Sequence, residues 1–129
     1  MFDNYVFTEG TCKNVKEGNQ IVGFELETLI TYYRSIPCSM IEDIKVSVDN
    51  QEVPREVIRF SPDGEEYFTL DELETVTSYK WEYGEQGHVR VMQEDGLSAG
   101  DHEVSLTTII RTAYIPVPFG GTKVRTVHI

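Results

Sequence analysis

The sequence is short of cations, cysteines and tryptophan. Only 11 Lys and Arg stand against 22 Asp and Glu, and there are two cysteines and one tryptophan. The resulting net charge of -11, with a pI near 4.6, repels phosphate backbones and excludes nucleic acid and anionic membrane as natural partners. A basic partner surface or a neutral ligand fits such a chain better. No apolar run approaches the ~18 residues that a membrane-spanning helix needs. The start, Met1-Phe2-Asp3-Asn4-Tyr5, offers neither a basic n-region nor an apolar h-region, so no secretory signal is read. Cys12 and Cys38 are therefore expected as two reduced thiols in a cytoplasmic protein.

What is present has a period of two. Val22, Phe24, Leu26, Thr28, Ile30 and Tyr32 alternate with Glu25, Glu27 and Thr31, which predicts a long half-buried strand. His102, Val104, Leu106, Thr108, Ile110, Thr112 and Tyr114 predict a second. Shorter strands are read at Ile44–Val48, Glu56–Phe60, Tyr67–Leu70, His88–Met92 and Lys123–Val127. Turn residues separate them, among them Glu17-Gly18-Asn19, Asp49-Asn50, Asp63-Gly64, Asp95-Gly96 and Gly120-Gly121. Only Thr69 to Val76, with Asp71, Glu72 and Glu74, suits a helical turn. The expectation is an all-β, antiparallel β-sandwich of immunoglobulin-like or jelly-roll-like kind, with at most one short helical turn near 70–76. The 129 residues make a single domain, 1–129.

The usual signatures of chemistry are missing. His88, His102 and His128 have no ligand spacing with one another or with the cysteines. Asp63-Gly64 followed by Asp71-Glu72 fails the register of a calcium loop, because Arg59 would be the first ligand and Leu70 the last. No nucleophile elbow and no phosphate-cradling glycine loop occurs. Cys38, between Pro37 and Ser39, is read as a small apolar filler. The adjacent acids Glu42/Asp43, Glu65/Glu66, Asp71/Glu72 and Glu94/Asp95 are read as solvated surface. No catalytic and no metal-binding residue is assigned.

Three stretches are less ordinary. Tyr32-Tyr33-Arg34-Ser35-Ile36-Pro37-Cys38-Ser39-Met40-Ile41 combines the residue types enriched at interface cores. Tyr79-Lys80-Trp81-Glu82-Tyr83 puts Tyr79, Trp81 and Tyr83 on one face if it is a strand. Such a stripe is core, a protein interface or a sugar-stacking platform. Tyr114-Ile115-Pro116-Val117-Pro118-Phe119 holds two prolines that cannot donate to a ladder, which puts it at a sheet edge or outside the sheet. The interface or pocket-edge set chosen on these grounds is Tyr32, Tyr33, Arg34, Ile36, Pro37, Met40, Trp81, Tyr83, Pro116 and Phe119.

These strings also carry a resemblance. Tyr32 to Asp43, Val53-Pro54-Arg55-Glu56 with Ile58-Arg59-Phe60, Phe68 to Thr77, Tyr79 to Gly84 and Gly96 to Gly100 occur in one order. Together they resemble the small (beta) subunit of bacterial C-glycoside deglycosidases, from Met1 to about Phe119. The resemblance implies a β-sandwich that docks on a larger β/α-barrel alpha subunit, as a heterodimer or a multiple of one. That partner would hold a divalent metal, commonly manganese, and the general base; no cofactor is expected in this chain. The implied reaction cleaves the carbon–carbon bond between a 3-oxo sugar and an aromatic, flavonoid-type aglycone. This chain would then be a non-catalytic beta subunit that completes the partner's pocket. On composition and exposure alone, with no residue carried over from the family, Arg34→Ala and Trp81→Ala are each expected to weaken assembly. The competing readings are a stand-alone carbohydrate-binding or protein-interaction module, a structural immunoglobulin-like domain, and a self-sufficient enzyme.

Overall fold

The structure is a computed structural model and describes residues 6–30, 35–76, 79–82, 84–112 and 115–129. Its strands are β1 Lys13–Glu17, β2 Gln20–Thr28, β3 Ile36–Pro37, β4 Ile41–Val48, β5 Gln51–Glu52, β6 Ile58–Ser61, β7 Phe68–Thr69, β8 Lys80–Trp81, β9 Gly87–Met92, β10 Asp101–Thr112 and β11 Ile115–His128. They form a five-stranded sheet in the order β1-β2-β9-β6-β7, a four-stranded sheet β11-β10-β4-β5 and the small ladder β3-β8. Among the described residues every pairing is antiparallel.

Alternation decides which side of each sheet is dry. In the five-stranded sheet, Phe24, Val91 and Ile58 form one cross-strand row and Leu26, Val89 and Phe60 the next, all buried. The four-stranded sheet turns Ile44, Val46, Val104, Leu106 and Ile110 to the same core. The sandwich expectation is met, and β11, with Pro116 and Pro118, is an edge strand as its prolines require. The helical turn is α1, Leu70–Leu73, closed by a capping box. The Thr69 hydroxyl accepts from the Glu72 N–H at 3.1 Å and the Glu72 carboxylate accepts from the Thr69 N–H at 2.8 Å. Leu70 and Leu73 then face the core.

Three local expectations change. β2 stops at Thr28 rather than running to Tyr32, because its partner β9 begins opposite Thr28, at Gly87. The edge bonds there are taken by the N-terminal segment, with Phe7 N–H on the Thr28 hydroxyl and Thr8 N–H on the Glu27 carbonyl. Arg55–Val57 is a 3-10 turn behind Pro54, and the strand begins at Ile58, opposite Val91. Strand β1 has no counterpart in the periodicity. It pairs with β2 through a bulge in which Val15 faces Gly23 and Lys16 faces Ile21.

The β2–β9 ladder depends on Gly23. A Cβ there would stand 2.0 Å from the Val91 carbonyl oxygen, so the β2–β9 ladder would have to part. Gly23→Ala is expected to destabilise the chain by about 1–3 kcal/mol, read as a lowered urea midpoint. An unchanged midpoint would refute the close approach.

Candidate functional site

The described part of the expected patch is built around the β3–β8 ladder, Ile36 opposite Trp81 and Pro37 opposite Lys80. The chain continues into a 3-10 turn, Cys38–Met40, whose Cys38 N–H donates to the Tyr79 carbonyl and whose Ser39 N–H donates to the Val76 carbonyl, both at 2.9 Å. The Ser35 hydroxyl donates to Glu82 at 2.7 Å. This corner leads into β4, where Ile41 lies opposite Ile110 of β10, and Ile110 lies opposite Phe119 of β11. Segments far apart in sequence thus meet at one end of the sandwich.

Burial divides the expected residues. Ile36 is buried, and Pro37 and Met40 are half-buried, Met40 against the core. Pro116 and Phe119 fall on β11, and their side chains lie outside what is described. Tyr32, Tyr33, Arg34 and Tyr83 lie outside the described residues. Trp81 is a correction: it is 0% exposed, with its ring centroid 5.0 Å from that of Phe60. Its indole N–H donates to the Glu85 carbonyl at 3.2 Å. The indole is a satisfied core group and offers no sugar-stacking platform. Gly87 makes the room, since a Cβ there would meet Phe60 and Trp81 at 2.9 Å. Among the described residues, the exposed aromatic of this end is Tyr79, 39% exposed and tilted on Phe68 at 5.4 Å. Sequence reasoning places Tyr79 in the stripe and leaves it out of the site set.

The outer face of the five-stranded sheet carries a polar cluster that the sequence does not reveal. Glu25 of β2 pairs with Arg90 of β9, and Arg90 with Arg59 of β6. The Tyr67 hydroxyl donates to Glu25. The Arg90 guanidinium donates to the same hydroxyl at 3.3 Å and lies 3.5 Å from Glu25 and 4.1 Å over the Tyr67 ring. Burial, then the Glu25 carboxylate, pushes the Tyr67 phenol well above its ordinary value. Tyr67 therefore remains a donor and pins the 61–67 loop to the sheet rather than serving as a base.

At the opposite end of β4 and β10 lies a cleft of about 600 Å³, lined among others by Val48, Asp49, Gln93, Leu97, Ser98 and His102. Asp49 and Asn50, at φ of 50° and 69°, make the tight turn between β4 and β5 that their sequence announces. The Asp49 carboxylate accepts from the Glu103 N–H at 2.9 Å and meets His102 Nδ1 at 2.8 Å. His102 Nε2 lies 2.8 Å from the Ser98 carbonyl and 3.4 Å from the Ser98 hydroxyl. Serine, histidine and aspartate are thus in line, but not as a catalytic triad. A carboxylate and a carbonyl only accept, so these contacts favour the ring with both nitrogens protonated. In that form it cannot take the serine proton. Asp49, then the Ser98 carbonyl, raises the His102 pKa, and the bonds from His102 and Glu103 lower that of Asp49.

Both cysteines are free thiols. Burial raises Cys12 to about 11 and Cys38 to about 12, Asp63 adding to the latter, so neither is a nucleophile at neutral pH. Cys38 is the apolar filler expected of it, at 0% exposure. Among the described residues no group of three or more His, Cys, Asp or Glu is placed to hold a metal ion, and no helix is long and apolar enough to cross a membrane.

Comparison with known proteins points one way. A family model described as C-glycoside deglycosidase beta subunit matches residues 2–114. A protein of Eubacterium cellulosolvens named C-glycoside deglycosidase beta subunit is 29% identical over 105 residues, covering 81% of this chain and 71% of that protein. One of the same name from Microbacterium trichothecenolyticum is 32% identical over 91 residues, 70% of this chain and 66% of that protein. The aligned part of this chain thus spans about two-thirds of the length of these relatives.

The His102 clamp has a signed pH dependence. Below the ordinary histidine value of about 6.5 the ring is charged folded or unfolded, and its stabilisation is complete. That stabilisation is lost as pH rises through the higher folded-state value. Asp49 works in the opposite sense: its contribution is complete above about 3.9 and is lost as pH falls through its lowered value. In an NMR titration the His102 ring should titrate above the ordinary value, and Asp49→Asn should bring it down. A wild-type midpoint at or below that value would mean a neutral ring and no clamp.

Proposed function

Because the chain belongs to the C-glycoside deglycosidase beta subunit family, we propose that it is the non-catalytic subunit of a heteromeric enzyme. That enzyme cleaves the carbon–carbon bond between a 3-oxo sugar and an aromatic aglycone. Its partner in this reading is a larger β/α-barrel alpha subunit that binds the sugar and holds the acid–base machinery. The described residues of this chain do not fit a divalent metal, so the metal is assigned to the partner and no step is routed through this chain's side chains. The carbonyl of a 3-oxo sugar acidifies its neighbouring C–H bonds, and departure of an aromatic carbanion is helped by protonation. Both steps compete with water. A docked, rigid β-sandwich limits that competition by ordering the partner's loops and walling the pocket from solvent.

The observation that carries this reading is the meeting of Ser35–Met40, Tyr79–Glu82 and the Ile110–Phe119 pair of β10 and β11 at one end of the sandwich. Ser35–Met40 and Tyr79–Glu82 belong to the strings that resemble the family. The chemistry of the described groups supports a scaffold role: thiols kept protonated, a phenol kept as donor and a histidine engaged by two acceptors. Burial of Trp81 also removes the feature that favoured a stand-alone sugar-binding module.

The test is reconstitution. The two subunits, purified separately and mixed, should convert a 3-oxo C-glucoside, and this chain alone should not. Turnover by this chain alone would overturn the reading, as would measurable binding of free glucosides to it in calorimetry with no partner association. Arg34→Ala is expected to weaken subunit association by about 1–4 kcal/mol. Trp81→Ala is instead expected to cost about 3–5 kcal/mol of the chain's own stability, as a core truncation.

A further inference from the structure

All 22 Asp and Glu of the chain precede Val104. From Val104 to Ile129 the only charged side chains at neutral pH are the cations Arg111, Lys123 and Arg125. The topology gathers this stretch into one surface, because β10 and β11 pair from Asp101 opposite His128 to Thr112 opposite Ile115. β11 is the edge of its sheet. Val104, Leu106, Thr108 and Ile110 point inward and are buried, so the residues between them form the outer face. There Ser105 lies between Val124 and Ser47, and Thr107 between Thr122 and Lys45. The hydroxyls of Thr107 and Thr122 bond each other at 2.9 Å. Val124 is 50% exposed and, with Tyr79, is one of the two exposed large hydrophobic residues among those described. A shallow depression of about 310 Å³ is lined by Ser47, Ser105 and Thr107, with Lys45 and Glu52 beside them.

We propose that the acid-free part of this outer face, from Ser105 of β10 onward and across β11, is the surface on which the partner subunit sits, an inference that rests on the beta-subunit reading above. Short, uncharged side chains on a flat sheet cost little desolvation on burial, and charge depletion is the compositional mark of an interface core. In a chain of net charge -11 such depletion along β11 and most of β10 marks a broad face that the acidic groups avoid, Asp101 and Glu103 being confined to the start of β10. Arg111 is already paired with Glu42 at 3.2 Å and Arg125 donates to the Phe7 carbonyl. Lys123, opposite Leu106, stands on the other face of this edge strand, without an ion pair among the described residues. The surface that fits is therefore a flat, hydroxyl-rich and aliphatic face of the partner. A second copy fits less well, since it would bring two strongly acidic bodies together, and an edge lysine opposes pairing of like strands. The strip ends at Ile110 and Phe119, the docking end already described, so the two surfaces are continuous. β11 lies past residue 114, where the family match stops, and the charge pattern is this chain's own.

The experiment is hydrogen exchange on the free chain and on the purified two-subunit complex, joined to subunit affinities by calorimetry. Peptides from 104–129 should slow on assembly. Thr122→Glu with Val124→Glu should weaken association at least about tenfold while leaving the thermal midpoint of the free chain in place. Lys16→Glu, an equal charge change on β1 of the other sheet, should leave affinity within about twofold. If the double variant lowers the midpoint, Val124→Ser takes its place, with a smaller loss in the same direction. A complex that forms with unchanged affinity in these variants, or protection confined to other segments, overturns the strip and leaves the beta-subunit reading standing. A chain that associates with no deglycosidase subunit overturns the reading beneath it.

Discussion

The rest of the molecule depends on β10 being hydrogen-bonded on both sides along its length. Its register with β4 runs from Val104 opposite Val48 to Ile110 opposite Ile41, and its register with β11 runs from Asp101 to Thr112. Side chains alternate strictly along such a strand, so fixing one residue fixes the face of every other. Val104, Leu106 and Ile110 then complete the core with the five-stranded sheet. At one end of β10 His102 reaches the β4–β5 turn, and at the other Ile110 stands beside the corner that holds β3 and β8. The eight extended steps from His102 to Ile110, at roughly 3.3 Å each, keep these two places about 26 Å apart, so the clamp at one end does not touch the corner at the other.

How much of this is legible in the sequence follows from how local each signal is. β2 and β10 are readable because each alternates over many residues. The helical turn is readable because Thr69 and Glu72 are three apart and cap each other within a single turn. β1 is not, since Lys13-Asn14-Val15-Lys16-Glu17 has one apolar residue and becomes a strand only by pairing with β2. The stripe through Tyr79 and Trp81 is visible, but alternation does not say which face another element will cover. Phe60 and the space left by Gly87 bury Trp81, and neither is adjacent to it in sequence. The Asp49–Ser98–His102 contact joins residues up to 53 positions apart and has no local signature. The absence of acids after Glu103 is plain in the sequence, yet it means little until β10 and β11 are known to lie side by side.

The distribution of charge changes what the acidity of the chain implies. A net charge of -11 invites the expectation of a basic partner. Acids confined to the stretch before Val104 instead act mainly through solubility and through repulsion between like copies. With the neutral strip as the proposed docking face, shape and desolvation decide recognition there, and the acidic groups exclude wrong contacts. The polar clusters turn inward as well: Tyr67 with Glu25 and Arg90, and His102 with Asp49 and Ser98, bond one another, while Arg90 Nε is buried without a partner among the described residues.

The single tryptophan gives this protein an internal lamp. Trp81 is the only indole in the chain, it is shut away from water, and it is wedged at an angle on Phe60 beside the β3–β8 corner. Its fluorescence therefore comes from one known place, shielded from solvent relaxation, at the end of the sandwich nearest the aromatic strings. Any loosening of that corner will redden the emission while the far end stays dark. Ordinary optical spectroscopy can thus follow one end of this fold without a label.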